Sequence, residues 1–180
     1  HAFEKCTSLT QISIPSSVTS IGDYTFEKCT SLTQISIPSS VISIGKYAFF
    51  GCLSLIKINI PSLVYSVGDF FLASCPKLET ITIDLCREKR IENFDNKFLV
   101  FKNNPESDIY DTIIWIKPTI KAIMIPSFIE TIGNGAFFEC SSLTEISIPF
   151  SVTSIGEYAF FRCSSLTQIT IPSSVTSIGD

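Results

Sequence analysis

Seven thiols and one imidazole are the side chains that could carry covalent or metal chemistry: Cys6, Cys29, Cys52, Cys75, Cys86, Cys140, Cys163 and His1. Each use of a thiol makes a demand on its neighbours. A Ser or Cys nucleophile needs a base, and the only histidine stands at the first position with no partner in reach of the pattern. Zinc asks for histidines or paired Cys-x-x-Cys ligands, and neither occurs. No glycine-rich phosphate loop appears, because each glycine stands singly in a bend. The chain is therefore expected to be no enzyme and to carry no cofactor and no metal.

The cysteine spacing points elsewhere. Cys6, Cys29, Cys52 and Cys75 are each 23 residues apart, as are Cys140 and Cys163. Residues at one repeat position stack in a column, one coil apart. Neighbouring Cα atoms in such a column fall within disulfide range, but parallel Cβ vectors stay farther apart than a bridge prefers. A ladder of buried free thiols, each acting as a small hydrophobe, is the expectation. Cys86 is out of phase and lies beside Arg87, Lys89 and Arg90. Cationic neighbours lower a thiol pKa, so Cys86 is the one candidate reactive thiol, with an inert buried role as the alternative.

The same step runs through the chain. Leu9, Leu32, Leu55 and Leu78 keep it, as do Ile14, Ile37, Ile60 and Ile83, Pro15, Pro38 and Pro61, and Phe3, Phe26 and Phe49. It resumes with Phe137 and Phe160, and with Leu143 and Leu166. In one unit, Ile35 and Ile37 alternate with Gln34 and Ser36, which predicts a short half-buried strand. Pro38 has no N–H to give a ladder and ends it. Val41 and Ile44 form a second, shorter extended piece, Gly45 permits a bend, and Ala48, Phe49 and Cys52 fill the far side through a helical turn. No coil buries its own lining. Stacking at the ~4.8 Å strand spacing does so, and seven strand positions give a stack roughly 30–35 Å long. The Phe column is expected to pack in the core. Tyr24, Tyr47 and Tyr158, with Phe70, form a neighbouring column on the convex edge.

The unit from Cys140 through Leu143, Ile146, Ile148, Pro149, Val152, Ile155, Gly156, Ala159 and Phe160 to Cys163 resembles the BspA-like, or Treponema-type, leucine-rich repeat, over about four-fifths of the chain. The resemblance implies a repeat solenoid, mainly β: a right-handed leucine-rich-repeat coil with a parallel concave sheet and short helical turns on the convex side. It implies no catalysis. It implies a non-catalytic protein-binding module, of the kind used at cell surfaces for adhesion or for recognition of host or matrix proteins. An intracellular scaffold or phosphatase-binding regulator is the alternative. Cell surface or secreted is the expected localisation, with cytoplasmic as the alternative, which free thiols favour.

Residues 84–121 break the period between repeats at 1–83 and 122–180 in what is expected to be one continuous solenoid. From Ile83 to Ile125 is 42 residues instead of 23, and residues 84–121 hold 14 of the 30 charged residues, seven of each sign. Lys97–Phe101 and Thr112–Ile116 look like strands around the turn-rich Lys102–Asp108, which predicts a β-hairpin in a degenerate coil. The insert either binds a partner, with Tyr110 and Trp115 as its candidates, or patches the stack.

The other candidate surface is the set of residues flanking the buried strand isoleucines on the concave side. These are Gln11 and Ser13, Gln34 and Ser36, Lys57 and Asn59, Thr80 and Thr82, Ala122 and Met124, Glu145 and Ser147, and Gln168 and Thr170. This ribbon is polar and nearly uncharged. It suits weak contacts repeated along the stack; a merely solvated sheet face is the alternative.

Bulk properties agree. The 180 residues are 45 % hydrophobic with a net charge of −4, a foldable mixture that argues against nucleic acid. No apolar run reaches the ~18 residues of a membrane span. The best candidate, Ile113–Ile125, is interrupted by Lys117, Pro118 and Lys121. No Asn-x-Ser/Thr sequon occurs. No signal peptide is visible, and the chain opens and closes in mid-repeat, so a fragment with uncapped ends is expected to self-associate end to end.

Overall fold

The computed structural model describes residues 1–84, 90–104, 106 and 109–180. Cys86 lies outside the described residues. In chain order the first strands are β1 (Ser20–Ile21), β2 (Gln34–Ser36), β3 (Ser43–Ile44), β4 (Lys57–Ile60), β5 (Ser66–Val67) and β6 (Thr80–Ile83). Then come β7 (Ile91–Phe94), β8 (Phe98–Phe101) and β9 (Thr112–Ile116). The last five are β10 (Ala122–Met124), β11 (Thr131–Ile132), β12 (Glu145–Ser147), β13 (Ser154–Ile155) and β14 (Ser177–Ile178). None of the described segments forms a helix long and apolar enough to cross a membrane.

The inner coils each supply one strand to each of two sides. On the first side β2, β4 and β6 pair in parallel, with Ile35 opposite Ile58 and Ile58 opposite Ile81. Beyond the insert, β10 and β12 repeat the arrangement with Ile123 opposite Ile146. On the second side β1, β3 and β5 pair in parallel, as do β9, β11, β13 and β14. The register equals the repeat, so every column in the sequence becomes a column in space. The mainly-β solenoid with parallel sheets is as expected.

The third side consists of turns. The short helical turns expected there are absent among the described residues, for a backbone reason. Tyr24, Tyr47, Phe70 and Tyr158 have φ between 52° and 58°, and Lys28, Ser74, Glu139 and Arg162 between 55° and 58°. Left-handed residues twice per coil aim alternate N–H groups at the next coil. Tyr24 N–H bonds to Lys46 O at 2.9 Å, Phe26 N–H to Ala48 O at 2.8 Å and Lys28 N–H to Phe50 O at 2.7 Å. Those donors are lost to any α-helix. Each such non-glycine residue costs on the order of 1 kcal/mol. Ring stacking offsets part of it: Tyr24 on Tyr47 at 5.1 Å, and Tyr47 on Phe70 at 5.0 Å.

The core lies between the three sides. Phe26 stacks on Phe49 at 5.4 Å, both fully buried, and Phe137 on Phe160 at 4.8 Å. The cysteine column runs beside them, and its thiols are free. They also bind coils together: Cys29 donates to Phe3 O at 3.1 Å, Cys52 to Phe26 O, Cys75 to Phe49 O and Cys163 to Phe137 O, each at 3.2 Å. Burial raises the pKa of all these thiols, that of Cys75 up to about 12. They stay protonated at neutral pH.

The insert is a three-stranded antiparallel meander. β7 pairs with β8 through a tight turn in which Asp95 and Asn96 both have positive φ, and β8 pairs with β9. β9 then joins the second sheet beside β11. Leu99 pairs with Trp115, and both, with Ile91, face the core of the preceding coils. Phe98 and Val100 pair with Ile116 and Ile113, and these four face the core of the following coils. The meander is thus a septum with an apolar surface on each side. On the turn side it contributes only a short cut. Ile116 N–H bonds to Ala136 O at 2.8 Å, and side chains reach across the layer: the Ser74 hydroxyl donates to Glu139, and Phe138 packs edge-on to Phe50 and Phe70, both at 5.8 Å.

Two predictions follow from this packing. Gly135 has φ +63°, and a Cβ there lies 2.2 Å from the Phe70 ring, whereas a Cβ on Gly22 meets only Thr25 Oγ1 at 3.6 Å. Gly135→Ala is expected to lose about 2–4 kcal/mol in urea denaturation and Gly22→Ala less than about 1 kcal/mol. The second concerns pH. Cys75 has its folded pKa raised by burial from 9.0 to about 12. The folded state therefore keeps a proton that the unfolded state releases, so its contribution is intact below pH 9 and is lost as pH climbs toward 12. Between pH 8 and 10.5 the urea midpoint of the wild type is expected to fall more steeply than that of Cys75→Ala.

Candidate interaction surface

Parallel pairing turns the polar positions of the first sheet into straight rows. Gln34, Lys57 and Thr80 form one row, and Ser36, Asn59 and Thr82 the other. Most are exposed, with Asn59 and Thr80 half-buried. Alternation in the strands causes this, since Ile35, Ile58 and Ile81 point inward and are buried. Gln11 joins Gln34, Ser36, Lys57, Asn59 and Thr82 around a shallow groove of about 430 Å³ floored by Ile12 and Ile35. Ser13 is exposed in the same column. The Thr82 hydroxyl donates to Asn59 Oδ1 at 2.7 Å, which orients the amide and leaves its NH2 as donor.

The remaining ribbon residues stand apart. Ala122 lies opposite Glu145 and Met124 opposite Ser147, all exposed, with Gln168 and Thr170 exposed beyond them. Among the described residues no backbone ladder joins β6 to β10. The meander occupies the break. Asn93 Nδ2 donates to Ile81 O and Asn96 Nδ2 to Glu79 O, each at 2.7 Å, which caps the edge of β6. The ribbon expected along the whole chain is therefore two ribbons.

Trp115, expected as a contact residue of the insert, is a core residue at 4 % exposure, and its burial against the preceding coils rules out surface contact. Tyr110 is half-buried, packs against the following core and receives Lys102 Nζ 4.8 Å from its ring centre. Burial raises its hydroxyl pKa, with Glu92 adding to the effect.

The apolar exposure of two side chains goes unremarked in a reading by columns of similarity. Met124, 78 % exposed, stands where other coils carry Ser36, Asn59 and Ser147; Phe150, 75 % exposed, stands where they carry Ser16, Ser39 and Ser62. The signal was available as a departure from the column consensus.

Ion pairs cluster on the turn side, including Lys46–Asp69 at 3.4 Å and Arg162–Glu139 at 2.9 Å. His1 Nδ1 contacts Glu4 Oε2 at 2.5 Å, and its ring stacks on Tyr24 at 4.7 Å. No group of metal-binding side chains is found among the described residues. The arrangement offers rows of donors and acceptors, which is equipment for binding.

The sequence profile described as "BspA type Leucine rich repeat region (6 copies)" matches residues 1–114 and 107–180. No curated protein sequence matches the chain. Among solved structures, a leucine rich cell surface protein from Faecalibacterium prausnitzii is 32 % identical, with a TM-score of 0.83 over 99 % of this chain and 52 % of that one. A leucine-rich repeat protein from Bacteroides ovatus is 31 % identical, with a TM-score of 0.63 over 99 % of this chain and 41 % of that one. The pneumococcal vaccine antigen PcpA, at 18 % identity and a TM-score of 0.65 over 89 % of this chain and 50 % of that one, shares the fold. This chain spans about half the length of the first two, 52 % and 41 %. Repeat proteins of this kind are typically non-catalytic and mediate protein interactions. The chain belongs to the BspA-type leucine-rich-repeat family.

Proposed function

We propose that this chain is the recognition segment of a cell-surface protein that adheres to a host-cell or matrix component. Its contact surface is the polar ribbon over β2, β4 and β6, assisted by the separate ribbon at Glu145, Ser147, Gln168 and Thr170. The observation that carries this reading is the pair of in-register polar rows bordering an open groove. Such rows give weak contacts, and repetition along the stack gives avidity. The similarity to a protein described as a leucine rich cell surface protein supports the location.

The free thiols are the one observation favouring an intracellular scaffold, such as a phosphatase-binding regulator. Burial accounts for them equally well, since Cys29, Cys52, Cys75 and Cys140 have no exposed surface. The surface reading therefore stands first.

Antibody labelling of intact source cells tests the location. Signal before permeabilisation is expected; signal only afterwards contradicts the surface reading and puts the scaffold first. The contact surface is tested with the triple variant Gln34→Ala, Lys57→Ala, Asn59→Ala. It is expected to cut binding to host-cell monolayers at least tenfold while moving stability by less than about 1 kcal/mol, because these side chains are peripheral to the core. Unchanged cell binding rules the ribbon out.

A further inference from the structure

We propose that the groove over β2, β4 and β6 takes an extended acidic glycan, laid along the stack axis across the strands, with its carboxylate or sulfate group over Lys57. This rests on the ribbon being the contact surface and names the chemistry that it recognises.

Three observations point to carbohydrate. The first is the set of lining groups. Gln11 and Gln34 each present an amide donor and acceptor, Asn59 presents its NH2 as donor, and Ser36 and Thr82 present hydroxyls. Sugar hydroxyls both donate and accept, and adjacent hydroxyls are matched by side chains that do the same. The groove lacks the Trp, Tyr and Arg anchors on which protein interfaces concentrate their energy. The two most exposed of the large apolar side chains, Met124 and Phe150, lie on the coils beyond the insert.

The second observation is the period. Parallel pairing places one polar side chain per row on each coil, so the groove repeats at the ~4.8 Å strand spacing. A ligand along this axis must repeat at about that step and carry polar groups on both edges. A pyranose ring in an extended chain advances by about one such step. An extended peptide returns a side chain to the same face only every ~6.6 Å and drifts out of phase. The volume of about 430 Å³ lies in the range of small-ligand sites.

The third observation is charge. Lys57 is the only charged residue lining the groove. Among the described residues no carboxylate pairs with it. Its row neighbours Gln34 and Thr80 are neutral, so an anionic substituent completes the site without displacing an existing ion pair.

The test uses three hexasaccharides: a sulfated heparin fragment, a carboxylated oligogalacturonate and neutral cellohexaose. Titration is followed by backbone amide NMR on the 180-residue chain. At least one acidic hexamer is expected to bind at least fivefold more tightly than cellohexaose, and which of the two does so identifies the anion. The shifts are expected at Gln11, Gln34, Lys57 and Asn59. Lys57→Ala is expected to remove the preference for the acidic hexamers together with its salt dependence, while Lys46→Ala on the turn side leaves binding unchanged. Equal binding of all three hexamers overturns the role of Lys57, and a footprint away from the groove overturns the site. If no hexamer binds, and enzymatic deglycosylation of host cells leaves ribbon-dependent attachment intact, the glycan is wrong and the ribbon still contacts protein. Attachment unaffected by the ribbon variant defeats the underlying reading instead.

Discussion

A coil of this chain cannot bury its own lining, and everything else in the molecule depends on that constraint. The apolar edge of one coil is covered only by the next coil in register. The register is held by backbone bonds on three sides: parallel strands on two, and turn N–H groups reaching the following coil on the third. Once it is fixed, chemistry is repeated in columns. Phenylalanine rings stack, thiols donate to the carbonyl of the preceding coil, and polar strand residues line up outside. The same stacking that gives the ribbon its regular spacing buries Cys52, Cys75 and Cys140, and burial keeps those thiols protonated.

The meander obeys the constraint in a different way. A strand in an ordinary coil has one buried face, but β8 and β9 are covered on both. Leu99 and Trp115 close the core before the insert, while Phe98, Val100, Ile113 and Ile116 open the core after it. Two hydrophobic units are joined by a sheet that belongs to both. The consequence for function lies on the first side, where Asn93 and Asn96 cap β6 and the sheet restarts at β10. The polar ribbon is divided at that point, with the groove on one part and the exposed Met124 on the other.

How far the sequence could be read follows from the same physics. The columns at Leu32, Ile35, Phe49 and Cys52 state the coil directly, because a 23-residue repeat in sequence is a repeat in space. The turns are harder. Left-handed geometry falls mostly on aromatic and charged residues, and on the turn side only Gly51 and Gly135 announce it by type. That is why a helical turn is the natural expectation there and the structure departs from it. Trp115 misleads for a related reason. A lone tryptophan outside every column reads as a surface anchor, but a strand buried on both faces has lost the alternation that marks its inner side. The strand at Ile91–Phe94 is similarly hidden, since Glu92 and Asn93 interrupt its apolar pattern. The division of the ribbon depends on Asn93 and Asn96 bonding to a strand edge, and nothing in their type or spacing declares it.

The central claim is that the insert is a septum inside the stack and not an arm projecting from it. Trp115 is the only tryptophan in the chain, so its fluorescence reports on the insert alone. The native protein is expected to emit in the blue, to resist quenching by acrylamide, and to shift to the red only in the transition that unfolds the coils. Red, readily quenched emission from the folded protein, or a red shift that precedes unfolding of the repeats, would contradict the septum and return the insert to the surface.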